Sequence, residues 1–225
     1  MNAQDPLYLH EEILLLALQD RKGTVVSGTW YAQAVAGALL AELILRGHIR
    51  STEERGKLEV VNARAVGEPL LDDCLALLAE SRKPKPMRTW LSTISNWSKL
   101  KHRVAEGLCR RGILRSDTDK VLLFFDRKIY PEVNPKPERE LIERLREVIF
   151  TDCRDIDPRT VVTLSVAFQT GLLNAIFGRK ELKARKARIE AVINGEATGK
   201  AAQEVLQGLQ AAIIVSACIV PIIAS

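Results

Sequence analysis

Leu7-Tyr8-Leu9-His10-Glu11-Glu12-Ile13-Leu14-Leu15-Leu16-Ala17-Leu18 forms the first long apolar run of this chain, and Glu42-Leu43-Ile44-Leu45-Arg46-Gly47-His48-Ile49 closes the second. A helix over the first run is apolar on nearly every side, so it must be buried on nearly every side. Asp5 is placed to cap that helix, with Pro6 in its first turn. A second helix, Trp30 to Leu45, ends in Arg46-Gly47, where glycine can supply the left-handed residue that stops a helix. Two buried central helices therefore set the fold class: mainly α, a single helical domain over 1–225 with two short β-hairpins.

The rest of the chain is read outward from that pair. Pro69 opens a helix over Leu70–Ala79, with Asp72 and Asp73 favourably placed in its first turn. Lys83-Pro84-Lys85-Pro86 cannot be helical and is expected as an extended loop. Trp97, Leu100, Val104 and Leu108 recur at three- and four-residue steps and predict one helix with an apolar stripe. Glu138 to Phe150 is a charged amphipathic helix, Asp157 caps the next helix ahead of Pro158, and Asn194-Gly195 stops the one after that. Ala211 to Ala224 is very apolar but spans about 14 residues against the roughly 20 needed to cross a bilayer, and Pro221 interrupts it. A buried core helix over Ala211–Ile219 is expected.

One stretch echoes another. Arg46-Gly47-His48-Ile49 ends a helix and is followed by a polar turn (Thr52–Gly56) and a strand (Leu58–Val61). Arg111-Gly112-Ile113-Leu114 does the same, followed by a polar turn (Ser116–Asp119) and a strand (Val121–Phe125). The offset between the two Arg-Gly pairs is 65 residues. Helix followed by hairpin is the local grammar of a winged helix, and either an old duplication or two similar turns accounts for it.

Charge is distributed unevenly. Ser81 to Arg115 holds ten cations (Arg82, Lys83, Lys85, Arg88, Lys99, Lys101, Arg103, Arg110, Arg111, Arg115) against the single anion Glu106. Arg179 to Arg188 holds six cations and one glutamate, so the remainder of this +5 chain is acidic. The first segment, with Trp90 and Trp97 interleaved, suits a polyanionic partner such as a membrane interface. The second reads as a solvated helix face.

Catalysis finds little support. No Gly-rich phosphate loop, GxSxG or HExxH occurs, and His10, His48 and His102 are isolated. Cys74, Cys109, Cys153 and Cys218 lie far apart among apolar neighbours and read as buried reduced thiols. No metal and no cofactor is expected, and the chain is not read as an enzyme. Charged residues by Asp5 and Glu11 leave no secretory signal, which places the expected location in the cytoplasm.

The ordered set LxLxEExLLLxLxDxxG, ELxLRGxI, Leu108-Cys109-Arg110-Arg111-Gly112-Ile113-Leu114, Leu122-Leu123-Phe124, Asp157-Pro158-Arg159 and Leu173-Asn174-Ala175-Ile176-Phe177 resembles the Golgi phosphoprotein 3 family over roughly residues 7–220. The resemblance implies a peripheral protein of cytosolic membrane faces that binds phosphatidylinositol 4-phosphate. Its headgroup pocket uses a tryptophan before the second helix, an arginine nine residues later, and two basic residues three apart at the start of a later helix. Those positions fall on Ser27, Ala36, Ser98 and Lys101. Lys101 keeps the basic character, Trp30 lies one helical turn past the tryptophan position, and Lys99 flanks Ser98. Trp30, Ser98, Lys99 and Lys101 are therefore the candidate headgroup residues, with weak lipid selectivity expected. Only six residues precede Leu7, so the basic extension with which some members bind vesicle coat is not expected. The family hairpin dips apolar residues into the bilayer; here the matching turn, Arg115–Lys120, is polar, and the strand after it is expected to pack inward. The expected partner is an anionic membrane lipid with a phosphoinositide-like headgroup, with a protein client as a further candidate. The alternatives are a nucleic-acid-binding protein using the winged-helix-like units, or a protein-interaction scaffold.

Overall fold

The computed structural model describes residues 5–19, 23–25, 30–52, 57–121 and 125–196. Its centre is α1 (Leu9–Ala17), buried along its whole length, crossed with α2 (Tyr31–Leu45), buried from Ala34 to Leu43. Four alanines and Gly37 among the eight residues from Ala34 to Ala41 leave room for α1 and three further helices to approach α2. These are α3 (Pro69–Ala79), α4 (Met87–Ser95) and α7 (Pro158–Gln169). Buried residues from α1 through α10 (Lys186–Ile193) form one core cluster.

An all-buried α1 carries Glu11 and Glu12 into that core, and each finds an arginine. Glu11 pairs with Arg111, Glu12 accepts from Arg144 and the Thr163 hydroxyl, and Glu42 of α2 accepts from Arg46, Arg159 and the Leu9 amide. Buried charge survives only with partners of this kind. Burial alone would raise the Glu42 carboxyl, but bonds from Arg159, Leu9 and Arg46 hold it below the usual carboxylate range. The same arginines strap the chain before α1. Arg111 donates to the Asp5 and Pro6 carbonyls, Arg159 to that of Leu7, and Arg46 sits 4.9 Å over the Tyr8 ring. Asp5 is consequently not the cap of α1. Residues 6–8 run extended, Tyr8 is the N-cap residue, and its amide donates to the Glu11 carboxylate.

The 65-residue echo is structural. Gly47 and Gly112 both take φ +70°. The Gly47 amide donates to Ile44 and that of His48 to Leu43; Gly112 donates to Cys109 and Ile113 to Leu108. After each hairpin, Val61 and Asn62 donate to His48, while Val133 and Asn134 donate to Ile113. Both asparagine side chains then accept the amide two residues on, from Arg64 and Lys136. The correspondence runs from helix end through hairpin to the approach of the next helix, much further than two similar turns reach.

The first hairpin, β3 (Ile49–Ser51) with β4 (Lys57–Val60), is widened by β5 (Lys85–Pro86), which pairs antiparallel with β4. The second, β6 (Asp117–Val121) with β7 (Phe125–Ile129), starts earlier than the sequence suggests. Residues 117–119, read as turn, are strand: register sets Asp119 opposite Arg127, and the two side chains pair at 2.8 Å across the ladder. The connection is Leu122-Leu123-Phe124, which lies outside the described residues, as does the Ala211–Ile219 segment. A third hairpin, β1 (Leu18–Gln19) with β2 (Thr24–Val25), had no counterpart in the sequence reading.

The loop at Lys83–Pro86 does extend as expected, but it leads into α4, which carries Trp90 and Ile94 into the core. The next helix, α5, is Leu100–Arg110. α6 (Lys136–Phe150) begins two residues before Glu138, and Asp157 caps α7 by accepting the Arg159 amide at 3.1 Å. Beyond α7, one expected helix is three: α8 (Leu173–Phe177), α9 (Arg179–Ala184) and α10.

Candidate functional site

The start of α5 and strand β7 bring cations together. The chain leaves α4 at Asn96 and turns through Lys99, the one non-glycine with positive φ (59°) among the described residues. A lysine in that conformation is strained by about 1 kcal/mol or more, and such strain concentrates at functional sites. Ser98 and Lys99 are exposed, and Lys101 is half-buried. Burial lowers the Lys101 ammonium below its usual range, and the nearby Arg127 of β7 lowers it further. His102 also sits low, first from burial and then from Lys101 and Lys128. Its Nδ1 is 2.9 Å from the Tyr130 hydroxyl, whose ring is fully buried.

Two exposed ion pairs temper this cluster: Lys128 with Glu106 at 3.0 Å and Arg127 with Asp119 at 2.8 Å. Pairs at this exposure are worth little, so an incoming phosphate can compete for the cations. The β1–β2 hairpin fixes the platform from below. The Gly23 carbonyl accepts the Tyr130 amide at 3.0 Å, and a Cβ on Gly23 would meet the Tyr130–Pro131 backbone at 2.3 Å. Only glycine allows that approach.

The four candidate headgroup residues divide. Ser98, Lys99 and Lys101 share one turn. Trp30 stands apart at the N-cap of α2, 42% exposed, its amide donating to Thr170, and no described contact joins it to the α5 turn. Ser27 lies outside the described residues, and Ala36 is fully buried and has no route to a headgroup. His102, Arg127, Lys128 and Tyr130 were missed as site residues. The spacing of Arg127 and Lys128 from Lys101 carries no signal until the hairpin folds back; correct strand register would have found them.

The ten cations of Ser81–Arg115 are not all on offer. Arg111 is buried against Glu11, Arg103 pairs with Asp73, and Arg115 pairs with Asp117 at 3.4 Å. Trp90 is core, only 3% exposed, so it is no interface residue; Lys85 lies over its ring at 5.0 Å. Trp97 is partly buried beneath Arg103. In the second basic run, Arg185 and Arg188 are not simply solvated. They donate to the Ile149 and Val148 carbonyls and so cap α6.

No group of three or more His, Cys, Asp or Glu side chains among the described residues could hold a metal, and no described helix is long and apolar enough to cross a membrane. The vacuolar protein sorting-associated protein 74 of Eremothecium gossypii is 28% identical over 190 residues, covering 75% of this chain. The chain spans 57% of that relative's length. The sequence profile of Golgi phosphoprotein 3 (GPP34) matches residues 9–209, from the start of the buried α1 to beyond α10, and with nearly the whole chain inside that match the protein belongs to the Golgi phosphoprotein 3 family.

Proposed function

We propose that the chain acts as one unit, peripheral on a membrane at its cytoplasmic face, and binds anionic lipid through Lys99, Lys101, His102, Arg127 and Lys128. Trp30 and Ser98 are the remaining headgroup candidates. The observation that carries this is the packing of β7 against the start of α5, where Lys128 pairs with Glu106 at 3.0 Å and His102 lies 2.9 Å from the Tyr130 hydroxyl, so that Arg127 adds to the burial that already lowers Lys101. A headgroup phosphate relieves that repulsion and gains charge-assisted bonds. Each cation near an anionic leaflet contributes about 1 kcal/mol, so this handful suffices without a tailored pocket. Phosphatidylinositol 4-phosphate is the headgroup that family membership suggests. Selectivity for it is expected to be weak, because Ala36 is buried where an arginine would sit and Ser98 offers only a hydroxyl. No catalytic role is proposed.

Flotation with vesicles of varied headgroup tests this. Binding should require anionic lipid and be mostly lost by about 0.5 M salt, where screening shortens electrostatic reach to a few ångströms. Nucleic acid is the second reading, because the α5 and β6–β7 unit has the helix-and-wing form that can present cations to phosphates. A duplex bound more tightly than vesicles at matched salt would favour it.

A further inference from the structure

From Ser81 to Ala105 the chain carries no aspartate or glutamate. Four of its cations, Arg82, Lys83, Lys85 and Arg88, are exposed at the corner where β5 runs into α4, outside the Lys101–Arg127 cluster. The side chains of Arg82, Lys83 and Arg88 have no hydrogen-bond or ion-pair partner among the described residues, and Lys85 is held over the Trp90 ring at 5.0 Å. Glu80, the nearest anion in the sequence, forms no ion pair with them. The corner is nevertheless fixed. Lys85 and Pro86 pair with Leu58 and Lys57 of β4, and the Ser81 hydroxyl donates to the Lys83 carbonyl at 2.9 Å. Like charges held together in this way repel one another, and a polyanion relieves them.

Helix α4 continues the corner. It buries Met87, Trp90, Leu91 and Ile94 and turns Arg88, Thr89, Ser92, Thr93 and Asn96 outward as one face about 12 Å long. Thr93 and Asn96 donate back to the Thr89 and Ser92 carbonyls, so the face is low. No acidic residue sits in the first turn of α4 and no side chain caps it, so the positive end of the helix adds to the corner. The far end leads into Ser98 and Lys99. This helix precedes α5 as α1 precedes α2, yet α1 is buried along its whole length.

We propose that the outer face of α4, with Arg82, Lys83, Lys85 and Arg88 at one end and Lys99 at the other, lies flat on an anionic lipid surface as a second membrane contact. The assignment rests on the membrane reading and adds an orientation to it, with α4 parallel to the bilayer plane. A bilayer is the partner that these residues fit. A protein interface needs a desolvated apolar anchor, and the exposed large apolar residues among those described, Trp30, Val61 and Val133, all lie off α4. Single-stranded nucleic acid needs exposed rings on which bases stack, whereas Trp90 is core and Trp97 lies beneath Arg103. A headgroup layer needs only charge on a flat face.

Flotation of the full chain on vesicles of mixed phosphatidylcholine and phosphatidylserine is the test. Arg82→Glu, Lys83→Glu and Arg88→Glu combined should weaken binding at least about thirtyfold and keep the wild-type thermal midpoint, because none of the three side chains has a partner. Arg179→Glu, Lys180→Glu and Lys183→Glu combined make the same change in net charge at exposed positions of α9 and should weaken binding less than about threefold. Ser92→Lys adds a cation to the middle of the face and should tighten binding about fivefold, while vesicles of phosphatidylcholine alone stay unbound. Wild-type retention in the first triple variant, equal losses in the two triple variants, or no gain with Ser92→Lys would overturn the proposal. Lys101→Glu with Arg127→Glu separates it from the membrane reading. If only that pair loses binding, the α4 contact fails and the reading stands; if only the first triple variant loses it, the α4 contact stands and the Lys101 cluster is not the site. Wild type that binds no anionic vesicle would reject both. Duplex DNA bound by wild type and lost in the first triple variant, with vesicle retention unchanged, would overturn the proposal in favour of nucleic acid.

Discussion

The α2–β3–β4 unit and the α5–β6–β7 unit share one backbone plan at an offset of 65 residues, yet they meet solvent in opposite ways. Lys101, half-buried at the start of α5, has Ala36 as its counterpart, fully buried in α2. The first hairpin is widened by β5, whereas the described residues add no third strand to the second. The two arginines that end the helices also differ. Arg46 is 40% exposed and shares Glu42 with Arg159, while Arg111 is almost wholly buried and is the partner of Glu11. One copy of the plan became the centre of the core. The other kept its helix start and wing at the surface, where cations can serve a ligand.

That contrast is sharpest at the paired arginines. Arg111→Ala strands the Glu11 carboxylate and should cost about 3–5 kcal/mol in denaturant unfolding, whereas Arg46→Ala leaves Glu42 with Arg159 and should cost under about 1 kcal/mol. Equal losses would break the distinction between a buried and a shared pair. Acid comes next. Burial lowers His10 to about 4, so it resists charging in the fold but charges near 6.5 when unfolded. Above about pH 6.5 it is neutral in both states and has no effect. As pH falls from 6.5 towards 4, only the unfolded chain gains the proton, and stability should drop by about 3 kcal/mol in total. His10→Phe should flatten that part of a pH–stability curve, and an unchanged curve would assign the acid sensitivity to other groups.

The surface unit yields smaller effects. Lys101→Glu should weaken vesicle binding by about 2 kcal/mol, roughly thirtyfold, through reversal of one charge near the leaflet. Lys99→Gly should raise stability by about 1 kcal/mol by relieving the left-handed backbone, while lowering vesicle affinity by about fivefold. A variant that gains stability and loses no affinity would make Lys99 a turn residue only.

The buried half of this comparison was legible in the sequence, and the exposed half was not. A run as apolar as Ile13–Leu18 has one physical solution, so α1 and α2 emerged within two residues of their ends. The Arg-Gly pairs announced both helix stops because a left-handed residue favours glycine. By contrast, Asp117-Thr118-Asp119 has turn composition, and only cross-strand pairing with Arg127 makes it strand. Arg127 was therefore invisible as a neighbour of Lys101. Trp90 was misjudged because its basic neighbours point away from the core that the ring enters. Arg111 was counted as surface charge because its partner, Glu11, lies 100 residues away in the chain.

The central claim, that the second unit is the membrane-facing copy, is tested most directly by flotation on vesicles with and without phosphatidylinositol 4-phosphate. Wild type, Lys101→Glu with Arg127→Glu, and Lys180→Glu as an exposed cation outside the cluster would be compared at low salt. Wild type and Lys180→Glu should float with all anionic vesicles and show little preference for the 4-phosphate, and the double variant should bind at least about thirtyfold more weakly. Binding by the double variant equal to wild type, or no binding by wild type to any anionic vesicle, would contradict the claim.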